Sequence, residues 1–258
     1  MIDLHCHVLP GIDDGPGSIE GSLALARVAA ASGTRTIVAT PHVSWRYGPD
    51  AASIARLVEE LNRRLSAERV ELEVRTGAEI AMTRLRDMKP EELPALGLGG
   101  SSCLLVEPPF AAAVPGLDAI VLELRHRGHR VLLAHPERCQ AFHRDRGMLD
   151  SLVRSGVLTS VTAGSLVGRF GREVRRFALR LVRDGMVHNV ASDAHDDSQR
   201  PPGIALELQQ AGLDLMADWL TCQVPAAILG ERGIPPGPPH RLRRRSAWWP
   251  RRTSTRRP

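Results

Sequence analysis

Short apolar runs alternate with longer amphipathic ones along this chain. The short runs are Ile2–His5, Thr36–Thr40, Leu72–Ala78, Cys103–Glu107, Arg130–Ala134, Leu158–Thr162 and Val187–Ser192. Most are rich in Leu or β-branched residues and apolar at consecutive positions, the pattern of parallel strands buried on both faces. The longer runs are Ser18–Ser32, Ser53–Ala67, Gly116–Arg127, Arg146–Ser155, Gly171–Asp184 and Pro202–Ala211, and they read as helices. Ser18 stands three residues before Gly21, where an N-cap would, and Gly33 follows the first run as a stop. Seven such alternations imply parallel βαβ units with right-handed crossovers. Seven units in about 235 residues suit a closed or nearly closed α/β barrel, with an open doubly wound sheet as the alternative.

Composition limits this picture to one domain. The chain has 258 residues, 43% of them hydrophobic, enough for a single sizeable core. Aromatic residues make up only 3%, so aliphatic side chains and Ala must fill the interior. The Pro-rich stretch Ile234–Pro239 marks the end of the folded body, giving a domain over 1–233 and a tail over 234–258. The net charge of +5 belongs to that tail. Residues 240–258 hold eight Arg and no acid, so the remainder carries 26 basic against 29 acidic side chains, a net of −3. A tail of Arg, Pro, Ser and Thr with Trp248 and Trp249 cannot build a core and reads as disordered. A solvated extension accounts for it more simply than contact with nucleic acid or lipid. The four Cys (6, 103, 139 and 222) form no C-x-x-C pair, and the N-terminus lacks the regions of a signal peptide. No run approaches the roughly 20 apolar residues of a membrane span. These features fit a reduced, cytoplasmic setting.

The candidate chemistry gathers at one end of the expected strands. His5 and His7 close the first, followed by Asp13 and Asp14 in the turn GIDDG. His42 ends the second (TPH), Glu79 the third (TGAE), Glu107 the fourth (LLVEPP) and His135 the fifth (LLAHPER), while Asp193 and His195 end the seventh (SDAH). Active sites of parallel α/β folds form at that edge. On a strand, H-x-H points His5 and His7 to one face, and Asp193 and His195 repeat the spacing. Imidazoles mixed with carboxylates suit Mn²⁺, Fe²⁺ or Zn²⁺. Nine ligands exceed the roughly four to six positions around one ion and suit two or three. Such ions polarise a phosphoryl oxygen and lower the pKa of water to about 7, so that hydroxide can attack phosphorus. Arg138 and Arg200 lie just beyond ligand positions, where guanidinium groups could grip phosphate.

The segments MIDLHCHVLPGIDDGP, ATPH, TGAEI, VEPP, LAHPERC, TAGSLVGRFG and ASDAH resemble, in order, the PHP (polymerase and histidinol phosphatase) superfamily. Within it they are similar to the CpsB/CapC/YwqE-type bacterial protein-tyrosine phosphatases. The resemblance implies a distorted (β/α)7 TIM-like barrel with a trinuclear, manganese-preferring site, although Fe, Co or Zn also fit the ligand chemistry. It implies His5, His7, Asp14, His42, Glu79, Glu107, His135, Asp193 and His195 as metal ligands, with Asp14 rather than Asp13 at the ligand position. It implies Arg138 and Arg200 as the phosphate-contacting residues. The implied substrate is phosphotyrosine on an autophosphorylating bacterial kinase of capsule or exopolysaccharide synthesis, with no need of nucleic acid. A small phosphomonoester such as histidinol phosphate, or a catalytically silent binding module, are the alternatives. The family usually has an aromatic residue after HPER; here it is Cys139, which bears on how the phosphotyrosine ring is held.

Other residues carry plainer readings. Asp13 reads as an Asx turn residue and Cys6, between two ligands, as a core thiol. His126, His129, His143, His188 and His240 read as structural. The cysteine-phosphatase loop C-x5-R is absent, since Ile12, Pro109, Asp145 and Ile228 stand six places after the four Cys. Neither G-x-S-x-G nor a Walker A loop occurs.

Overall fold

Consecutive apolar residues make the strands, and capped amphipathic segments make the helices between them. The computed structural model describes residues 1–238. Its strands are β1 (Ile2–Cys6), β2 (Thr36–Ala39), β3 (His42–Val43), β4 (Glu73–Arg75), β5 (Glu79–Ala81), β6 (Cys103–Glu107), β7 (Arg130–Ala134), β8 (Leu158–Thr162) and β9 (Asn189–Ala191). Its helices are α1 (Ile19–Ala31), α2 (Ala51–Ala67), α3 (Met82–Leu85), α4 (Leu117–His126), α5 (Gln140–Arg144), α6 (Arg146–Arg154), α7 (Ala163–Val167), α8 (Arg172–Arg183), α9 (Ile204–Ala211), α10 (Asp214–Asp218) and α11 (Val224–Leu229). Ser18 caps α1 by accepting from the Gly21 N–H at 3.2 Å. Helix α2 starts two residues before the expected Ser53, because Asp50 accepts from the Ser53 N–H at 2.8 Å.

All pairings are parallel, in a mixed α/β fold with two sheets ordered β1-β2-β4 and β3-β5-β6-β7-β8-β9. Two of the expected strands, Thr36–Thr40 and Leu72–Ala78, are each followed after a short gap by a second strand in the other sheet. The second passes from β2 to β3 across Thr40 and Pro41, and the third from β4 to β5 across Thr76, Gly77 and Ala78. Pro41 has no N–H to give a ladder, and its carbonyl accepts from the Glu79 N–H at 3.1 Å. A side chain at Gly77 would meet Val38 Cγ1 at 2.7 Å, so the backbone crosses the neighbouring strand where only Gly fits. The breaks put His42 and Glu79 at the starts of β3 and β5, directly paired, instead of at the ends of longer strands. The sheets are joined by backbone as well. His7 N–H donates to the Ala194 carbonyl at 2.9 Å and Asp193 N–H to the His5 carbonyl at 2.8 Å, with a parallel bridge between Cys6 and Ala194.

Strand alternation divides the core into two clusters. Ile37, Leu104, Val106, Val131, Leu133 and Val161 belong to the larger one, packed with helical residues such as Leu25, Leu61 and Leu181. Their neighbours Leu4, Val38, Cys103, Leu105, Leu132 and Leu158 turn the other way, into a second cluster fed by both sheets. Val224 and Ile228 of α11 join this second cluster. The segment containing α10, the π-helical turn Trp219–Gln223 and α11 was not expected from the sequence. Trp219 Nε1 donates to the Pro235 carbonyl at 3.1 Å, and Ile234 packs on the second cluster. Most of the expected tail, residues 239–258, lies outside the described residues. Among those described, no helix is long and apolar enough to cross a membrane, and all four Cys are free thiols.

Candidate metal centre

Buried side chains from most strands meet at the edge the sequence pointed to. His5 on β1 and His7 just past its end bring their Nε2 atoms within 3.2 Å of each other. Glu79, fully buried, lies at the hub. Its Oε1 is 2.9 Å from His135 Nε2 and 3.3 Å from His5 Nε2; its Oε2 is 2.9 Å from His42 Nδ1 and 3.3 Å from His7 Nε2. Asp14 Oδ1 lies 3.3 Å from His195 Nε2 and 3.5 Å from His42 Nε2. Glu107 Oε1 is 3.8 Å from His135 Nε2.

Donor atoms fall into four groups, each within 4.8 Å: His7/Asp14/His42/His195, His5/His7/Asp193, His5/Glu79/His135 and His42/Glu79/Glu107. All nine residues expected to hold metal are in these groups, and no other His, Cys, Asp or Glu among the described residues is. His7, His5, Glu79 and His42 each belong to two groups, so the four groups link into a closed ring.

The electrostatics fit cations. Four carboxylates share a buried space with five imidazoles, and buried charge must be compensated. Burial raises the Glu79 carboxyl, but His5 together with hydrogen bonds from His135, His42 and His5 carries it well below the ordinary range. Burial, and then the charge of Glu79, pushes Glu107 up to about 7. Burial lowers His7, yet its bonds to Asp13 and Glu79 prevail and raise it to about 10. His135 Nδ1, buried, has no hydrogen-bond partner. Nitrogen and oxygen donors in this mixture match first-row divalent ions.

Local backbone shape brings in the last of the expected ligands. Strand β9 stops at Ala191, so Asp193 and His195 do not reach the cluster by the strand alternation the sequence implied. Asp193 instead adopts φ +52°, and His135 φ +29°, both rare for residues with a side chain. Arg138 Nη1 donates to Asp193 Oδ2 at 2.8 Å, and Arg200 Nη2 forms an ion pair with the same oxygen at 2.7 Å. The Arg138 guanidinium lies between two rings, 4.6 Å from Phe110 and 4.5 Å from Phe170. Arg200 closes a turn in which Asp196 accepts from the backbone of Ser198, Gln199 and Arg200.

Several contributors were not read from the sequence. Asp13 does form the expected turn, accepting from Gly15 N–H at 3.0 Å, but its other oxygen lies 2.7 Å from His7 Nδ1 and accepts from His42 N–H at 3.0 Å. Asp3 accepts from the Ser192 N–H and hydroxyl, tying β1 to the end of β9. Glu137 accepts from Thr162 N–H and the Ser165 hydroxyl, fixing the HPER turn to the TAGSL segment. Tyr47 stacks on His42 at 5.9 Å. An acid such as Asp3 within an otherwise apolar strand was the available signal; nothing local marked Phe110 or Phe170. Cys6 is a buried core thiol. Cys139 is buried too, its thiol bonding to the Pro109 carbonyl at 3.4 Å. His126, His129, His143 and His188 stand outside the four groups, and His240 lies outside the described residues.

Comparison with known proteins places the chain in a family. The protein-family model for capsular polysaccharide synthesis, CpsB/CapC, matches residues 1–215. The tyrosine-protein phosphatase YwqE of Bacillus subtilis is 36% identical over 201 residues, covering 78% of this chain and 79% of that protein. The putative tyrosine-protein phosphatase CapC of Staphylococcus aureus is 33% identical over 204 residues, with 78% and 79% covered. Among solved structures, one from a study of YwqE from Bacillus subtilis and CpsB from Streptococcus pneumoniae, described as metal-dependent tyrosine phosphatases, superposes with a TM-score of 0.81. It is 33% identical and covers 93% of this chain and 100% of its own.

Proposed function

The chain belongs to the CpsB/CapC family of capsular polysaccharide synthesis, and on that premise we propose that it is a metal-dependent protein-tyrosine phosphatase. The observation that carries the reading is the ring of four overlapping donor groups with two arginines fixed on its edge. The nine residues of that ring are the metal ligands, and they hold two or three ions, manganese by preference. Bound divalent ions would supply Lewis acidity and lower the pKa of water to about 7. The reading includes a distorted (β/α)7 barrel with a domain over 1–233, and the all-parallel pairing and the Cys6–Ala194 bridge between the sheets support it.

The protein's own groups position the substrate. Asp193 Oδ2 holds both guanidinium groups at the edge of the ring, where they can take the equatorial phosphoryl oxygens. Phe110, 45% exposed, offers a ring face beside Arg138 for the tyrosyl ring, a role that Cys139 cannot fill. Water oxygen bonds to phosphorus as the P–O bond to the aryl group breaks. The departing phenolate, with a pKa near ~10, leaves with little protonation, so no dedicated acid is needed. A cytoplasmic tyrosine kinase of capsule or exopolysaccharide synthesis is the fitting protein substrate. The test is phosphate release by manganese-loaded protein from a phosphotyrosine peptide, a phosphoserine peptide and histidinol phosphate. The phosphotyrosine peptide should be used at least tenfold better than either control, as a site walled by aromatic rings requires. Preference for histidinol phosphate would overturn the substrate class, and silence on all three would favour a binding module.

A further inference from the structure

Although residues 1–239 carry net negative charge, the exposed side of one helix is basic. Helix α8 buries Phe177, Ala178, Leu181 and Val182. Its exposed side carries Arg172, Arg176, Arg180 and Arg183, which fall within about 80° of arc at ~100° per residue. None of the four makes an ion pair among the described residues. Some arginines on other helices do: Arg63 and Arg64 pair with Glu60, and Arg146 with Asp184. The one acid in α8, Glu173, pairs with none of the four.

This stripe begins at the rim of the candidate site. Phe170, two residues before Arg172, stacks on the guanidinium of Arg138. From Arg172 the stripe runs along the helix for about 16 Å, roughly five residues of extended chain. We propose that it receives acidic side chains flanking the phosphotyrosine of the protein substrate. The inference rests on the phosphatase reading and adds a substrate class to it: polypeptide with Asp or Glu within a few residues of the target tyrosine. A polypeptide fits better than a membrane surface, because the apolar face of α8 is already buried in the core and none of it remains to enter lipid.

The test uses the full-length protein and two phosphotyrosine peptides that differ only in flanking Asp/Glu against Gln/Ser. Their non-hydrolysable phosphonate versions report binding by fluorescence anisotropy, and para-nitrophenyl phosphate reports turnover of a substrate without flanks. The wild type should bind the acidic peptide about tenfold more tightly, with a preference that fades in salt. Replacing all four arginines (Arg172→Gln, Arg176→Gln, Arg180→Gln, Arg183→Gln) should bring the two peptides within twofold and leave the small aryl phosphate unaffected. The fourfold Lys variant should keep the preference. Equal binding of both peptides by the wild type would overturn the proposal. So would an intact preference in the Gln variant, including one in which binding to phosphatidylglycerol vesicles is lost. Failure to turn over para-nitrophenyl phosphate would count against the phosphatase reading alone, since anisotropy still reads the stripe.

Discussion

At the scale of single residues, the centre depends on groups that touch no substrate. His7 belongs to two of the four donor groups, and Asp13 lies against its Nδ1 at 2.7 Å. With Nδ1 bound to a carboxylate, Nε2 is left to face the cluster, the arrangement that fixes tautomer and ring direction in carboxylate–histidine–metal sites. The same carboxylate bonds to the His42 backbone, so one side chain orients two expected ligands. Asp13→Ala should weaken metal binding about 10–100-fold while the fold persists, as loss of such a partner typically does. Calorimetric titration of metal-stripped protein reads this directly; equal affinity in the variant would show that Asp13 serves the turn alone. The sequence exposed only half of this residue. D-D-G spelled a turn, which Asp13 Oδ1 makes, but the distance from Oδ2 to His42, 29 residues away, depends on how the sheets meet. Arg138 is similar: its place after HPE was legible, and its aromatic walls, Phe110 and Phe170, were not.

Among the elements, β6, β7 and β8 have the limits the sequence implied, and the longer helices were nearly as legible. Helices α1, α4, α6 and α8 lie within a residue or so of their expected limits, because caps and glycine stops are local signals. The C-terminal elements were missed for the same reason reversed: α10, the π turn and α11 follow one another without such punctuation. Strand breaks at Pro41 and Gly77 were also missed, since they answer to a neighbouring strand and not to local propensity. One link between elements makes a pH prediction. The Thr159 N–H on β8 donates to Nδ1 of His188, just before β9, and burial lowers this imidazole to about 4. Its unfolded value is near ~6.5, so the unfolded chain takes up the proton first. The contribution is therefore complete above about pH 6.5 and is lost as pH falls towards 4, amounting to at most about 3 kcal/mol. Denaturant unfolding of His188→Gln beside the wild type should show a flatter acid limb in the variant between those values. Parallel curves would mean that His188 titrates alike in both states.

For the whole molecule, the fold serves to collect distant segments at one edge. The expected ligands run from residue 5 to residue 195, and backbone bonds between β1 and the segment after β9 bring those ends together. The second core cluster, shared by both sheets and completed by α11, ties the two sheets together by packing. Such convergence was legible in advance because strands of parallel α/β folds present their ends on one side. How the strands divide into two sheets was not. The central claim is that this converged cluster works through bound metal. Its most direct test is phosphate release from a phosphotyrosine peptide by chelator-stripped protein, before and after Mn²⁺ is restored, beside His42→Ala and Asp193→Ala. Stripping should abolish turnover, Mn²⁺ should restore it to the wild type, and both variants should stay at least about 100-fold lower with their fold intact. Full turnover by metal-free protein, or by both variants, would contradict the account.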